Sequence, residues 1–139
     1  MGKKTDKFRK NQENLIKLLG DLSQYMIVEN LMKEPQNAVR AVGKLSGALK
    51  MYWAHSDKTL YPDMLKNNKT KTVAETFMKS CNPLKMDFDR YYAKWMMVKN
   101  IQSDNKGFLA ETKKMIESLE KRFEVEANEL FSVADKHAA

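Results

Sequence analysis

Residues 48–65 read ALKMYWAHSDKTLYPDML. Leu49, Tyr52 and Ser56 recur at steps of three and four, the spacing that places side chains on one face of a helix. Extended upstream, the same row passes through Leu45 and Val42, which predicts a helix over about 36–58. Pro62 then marks the stop or the start of a short separate turn. The row turns polar at its end. Tyr52 and Ser56 occupy positions where a leucine would serve a core better, and a lone His55 stands between them.

Three more rows of the same period flank this one. Phe8, Leu15, Leu19, Leu22 and Met26 predict a helix over about 5–32, broken by EPQN at 34–37 because Pro35 disfavours helical backbone at Glu34. Val73, Phe77, Cys81, Leu84, Phe88, Tyr91, Trp95 and Val98 predict a helix over about 70–98. Pro83 lies inside it and implies a kink near residue 80 or a new helix there. Phe108, Met115, Leu119, Phe123 and Leu130 predict a helix over about 106–132. KNNKTKT and NIQSDNKG read as connections. No alternation of strand type runs for any useful length, and no repeat of 20–50 residues is evident. The expectation is one all-α domain over 1–139, an up-down-up-down antiparallel four-helix bundle.

Composition agrees. The chain has 139 residues, 42% hydrophobic and 31% charged, with 5 Gly and 3 Pro, a balance that suits a folded helical protein and not a disordered one. Its single cysteine, Cys81, excludes an internal disulfide framework and a cysteine zinc cage, and points to a reducing, cytoplasmic setting. No apolar run approaches the roughly 18 residues of a membrane span. MGKKTDKFRK is basic but no apolar stretch follows it, and Asp6 stands where a myristoylation signal needs Ser or Thr.

A net charge of +7 raises nucleic acid as a partner. The lysines, however, are interleaved with Glu and Asp along every helix and concentrate only in GKKTDKFRK and LKNNKTKT. A solvated basic surface is expected, without a specific nucleic-acid site. Electrostatic attachment to nucleic acid or to an anionic surface is the alternative, and linear loss of binding on a log-log salt plot is its signature.

Antiparallel alternation brings the polar members of the four rows to one end of the bundle. These are Gln12, Tyr52, Ser56, Cys81, Arg122 and Glu126. Arg122 and Glu126 stand four apart and are expected to pair, since a buried guanidinium without a partner is costly. One reading makes the six a wet bundle end with Arg122 reaching out to water. The other makes them a pocket for a small polar or anionic ligand.

Four stretches resemble the hemerythrin-like, or HHE cation-binding, domains: FRKNQENLIKLLGDL, LKMYWAHSDKTLYPDML, FMKSCNPLKMDFDRYYAKW and KRFEVEANELF. The resemblance implies a four-helix bundle with a non-haem di-iron centre that serves oxygen binding, redox sensing or iron handling. Carried onto this chain, the first-helix His position falls on Gln12. The helix-two His and Glu fall on Tyr52 and Ser56, and the helix-four His and Glu on Arg122 and Glu126. Helix three supplies no His, with Ser80 and Cys81 nearest. A di-iron pair needs about five or more N and O donors, and Arg122 places a fixed cation where metal would sit. No metal or other cofactor is therefore expected. Non-haem iron held by Glu126, His55 and Tyr52, with Cys81 and water, is the alternative.

His55 lies one residue off the seam and reads as a surface or partly packed side chain, and His137 sits in the tail. Cys81 reads as a small core residue, although a thiol beside Arg122 would have a lowered pKa. The methionines and the aromatics read as packing. No phosphate loop or nucleophile-base-acid set is present, so no enzyme is expected. The expected function is a non-catalytic binding, sensing or regulatory module that recognises a protein partner or a small ligand.

Overall fold

The computed structural model describes residues 4–137. Among these the chain is all-α, with no strand. The elements are α1 (Asp6–Ser23), α2 (Val28–Lys33), α3 (Pro35–His55), α4 (Tyr61–Leu65), α5 (Lys71–Trp95), α6 (Val98–Ser103), α7 (Asn105–Val125) and α8 (Ser132–Lys136).

Each boundary has a local cause. Asp6 sits in the first turn of α1, where a carboxylate meets the positive end of the helix dipole. Pro35 opens α3 at a position whose N–H would have no partner in any case. Asp104 caps α7 by accepting from the Gly107 N–H at 2.9 Å. A Cβ at Gly107 would press on that same carboxylate, so a larger residue there would make the Asp104 side chain shift.

The row expected as one helix over 5–32 is broken in the structure. α1 stops at Ser23, tightens into a 3₁₀ turn at Gln24–Met26, and Ile27 is extended (φ −100°, ψ 124°) before α2. The Asn30 amide donates to the Gln24 carbonyl at 3.0 Å and satisfies one of the freed acceptors. The third expected helix also ends early, at Trp95, and Met97 is extended (φ −116°, ψ 129°). There the Asn100 amide donates to the Lys94 carbonyl at 2.7 Å. Pro83 starts no new helix, since α5 runs through it. Pro83 is exposed, so the lost hydrogen bond faces water, while buried Phe77, Cys81, Phe88 and Tyr91 hold the helix on either side.

The chain's second half therefore repeats the first. A 6-residue helix follows each extended residue, and a 21-residue helix follows each of those. Both 21-residue helices pass into π-helical turns, Ser56–Leu60 and Glu126–Phe131, and then into a 5-residue helix. At the 70-residue offset these elements share, Tyr52 corresponds to Arg122 and Ser56 to Glu126.

α1 packs against α3 and α7, and α5 packs against the same two helices. The core between them is aromatic: Trp95, Phe88, Phe108, Phe123 and Phe131 are its largest fully buried side chains. Trp95 and Phe108 meet edge to face at 5.4 Å, and the Tyr91 hydroxyl meets that of Thr112 at 2.6 Å across α5 and α7. The chain ends are tied together, because Thr5 donates to Asp135 from its N–H (3.1 Å) and its hydroxyl (2.7 Å). No helix among the described residues is long and apolar enough to cross a membrane.

Candidate functional site

Glu126 is the centre of the polar cluster. It begins the π-helical turn after α7 and is 2% exposed. Its Oε1 accepts from the Tyr52 hydroxyl at 2.6 Å and from the Gln12 amide at 3.2 Å, and the amide also donates to Tyr52 Oη at 2.9 Å. Its Oε2 accepts from Arg122 Nε at 3.0 Å. α1, α3 and α7 thus meet on one carboxylate. Short bonds with an ionised partner are the stronger kind, and each helps repay the desolvation of a charge taken out of water.

Arg122 continues the network outward and is 10% exposed at its side chain. Nη1 donates to Ser80 Oγ at 2.7 Å, and Nη2 donates to the Phe77 carbonyl at 2.9 Å and to Tyr61 Oη at 3.5 Å. Its guanidinium lies over the Phe77 ring, 5.0 Å from the centroid. α4 and α5 join the cluster through these bonds. Burial pushes the Glu126 carboxyl above the usual carboxylate range, with Arg122, Tyr52 and Gln12 pulling the other way. Burial, and then the Glu126 charge, pushes the Tyr52 phenol far above its ordinary value.

The six side chains read from the sequence fall as follows. Gln12, Tyr52, Arg122 and Glu126 form one hydrogen-bonded unit. Ser56 is buried, but its hydroxyl donates back to the Tyr52 carbonyl at 3.1 Å and so serves its own helix. Cys81 is buried, with no hydrogen bond to the unit among the described residues. Its thiol is raised, not lowered: burial outweighs the Arg122 charge. His55 stacks on Phe8 with ring centroids 4.5 Å apart, outside the cluster, and burial with the Lys7 charge lowers its pKa. His137 lies at the chain end, where its carbonyl accepts from Asn67 at 3.2 Å.

Three members of the network were not in the sequence-derived set: Tyr61, Ser80 and the Phe77 carbonyl. The π-helical turn brings adjacent Leu60 and Tyr61 both into the core, which a strict 3.6-residue count does not do. A groove of about 830 Å³ opens beyond Tyr61 and Cys81, bordered by Asp57, Glu75, Lys79 and Lys85.

The donor chemistry here does not fit a di-iron pair. Glu126 is the cluster's one carboxylate, and both its oxygens are committed to protein donors. Arg122 holds a permanent positive charge against it. Among the described residues no group of three or more His, Cys, Asp or Glu could hold a metal ion. The chain was compared with family models, with curated proteins and with solved structures, and none matches it.

Proposed function

We propose that this chain is a hemerythrin-like, up-down-up-down four-helix bundle in which the Gln12–Tyr52–Arg122–Glu126 unit takes the place of a di-iron centre, and that it works as a non-catalytic binding or regulatory module. The bundle reading is supported by the packing of α1 and α5 each against both α3 and α7. The metal-free reading is carried by one observation: the Glu126 carboxylate accepts from three side chains on three helices. In a metal-binding relative a cation would hold those helices to the carboxylate; here the guanidinium supplies that charge. With its donors and acceptors spent on one another, this interior is a fastener, and recognition falls to the outer faces and to the groove beyond Tyr61.

Thermal melting tests this directly. A metal that binds the native state raises its stability in proportion to the logarithm of free metal. The melting temperature is expected to stay within about 1 °C when chelator, ferrous iron or zinc is added. A rise that continues with metal concentration would overturn the reading.

A further inference from the structure

We propose that a second copy of this chain docks on the face of α7 that borders α1, with the two α7 helices antiparallel across a two-fold axis. Lys106, Ala110, Lys113, Glu117, Glu120 and Glu124 follow one another at alternating steps of four and three, which puts them in a single row along α7. All six are exposed. The row is basic in its first half and acidic in its second. Among the described residues none of its five charges takes part in an ion pair.

That layout does not serve α7 by itself. Lysines in the first half and glutamates in the second run against the helix dipole, and Lys113 preceding Glu117 is the weaker order for an intrahelical pair. An antiparallel copy reverses the account. Paired about its midpoint, the row sets Lys106 against Glu124 of the other copy, Lys113 against Glu117, and small Ala110 against Glu120. Both contacts recur by symmetry, so the face is complementary to itself, as an isologous interface requires.

Apolar surface lies beside the row. A groove of about 670 Å³ between α7 and the end of α1 is lined by Met26, Leu109, Ala110 and Ile116. Ile16, 49% exposed, is on the flank of α1 that carries Ser23 of the same groove. The charges fix the register, and these side chains supply area to bury.

The test is sedimentation equilibrium on the full chain, with circular dichroism to confirm folding of each variant. The unaltered chain is expected to dimerise, with weaker association at high salt. Lys113→Glu and Glu117→Lys should each weaken self-association about tenfold, because each sets like charges opposite one another twice. Mixing these two variants should restore the dimer as a heterodimer, since each then meets its opposite. A chain monomeric to millimolar concentration, single variants that dimerise like the original, or a mixture no tighter than its components would overturn the proposal.

Discussion

Replacing Arg122 with Leu is expected to destabilise the fold by about 3–5 kcal/mol, the usual cost of removing one partner from a buried ion pair. Glu126 would keep its bonds from Tyr52 and Gln12 but lose the charge at Oε2, at a site 2% exposed. Ser80, the Phe77 carbonyl and Tyr61 would lose a donor as well. Arg122→Leu combined with Glu126→Leu should recover most of that loss, because removing both charges leaves neither stranded. Denaturant midpoints with circular dichroism read both variants. A single variant costing less than about 1 kcal/mol, the range of exposed pairs, would mean that the ion pair is in effect a surface one.

The second large effect is a gain. Gln12→His, Tyr52→His, Ser56→Glu and Arg122→His together should create a divalent-metal site. With Glu126 these changes supply about five N and O donors and remove the resident cation. The geometry favours it, since Gln12 and Tyr52 already reach one oxygen of Glu126, Arg122 reaches the other, and Ser56 is buried one turn beyond Tyr52. Isothermal titration with ferrous iron or zinc should give a dissociation constant at or below about 1 µM, about 8 kcal/mol of binding. A folded variant that stays metal-free would show that these five positions do not have the geometry of a metal site.

The long helices were legible because their inward residues keep one period over many turns. Gln12, Tyr52, Arg122 and Glu126 were legible for the same reason: a polar residue in an apolar row has to be answered from another row. What escaped was decided by features that no side-chain period records. The break after Ser23 carries neither Gly nor Pro, and it is the Asn30 amide, six residues on, that ties the turn back to Gln24. The two π-helical turns stand where Ser56 and Glu126 enter the core, and nothing in their composition announces them. Of the two outcomes Pro83 allowed, the new helix does not form, because exposure lets α5 pass through it. Tyr61 was hidden by the first π-helical turn, and the Phe77 carbonyl is backbone that no side-chain pattern reveals.

The repetition of the two halves bears on how such a cluster arises. Tyr52 corresponds to Arg122 and Ser56 to Glu126, so one half supplies a neutral donor and hydroxyl where the other supplies an ion pair. That asymmetry lets four side chains close one network: a cation, an anion, a phenol and an amide satisfy one another.

The most direct measurement is the metal content of the unaltered chain by mass spectrometry, with its ultraviolet-visible spectrum, after purification without chelator and anaerobic addition of ferrous iron. A folded helical protein is expected, with iron well below stoichiometric and no oxo-bridged charge-transfer bands. Near-stoichiometric iron accompanied by those bands would contradict the metal-free reading, because Glu126 would then belong to a metal and not to Arg122.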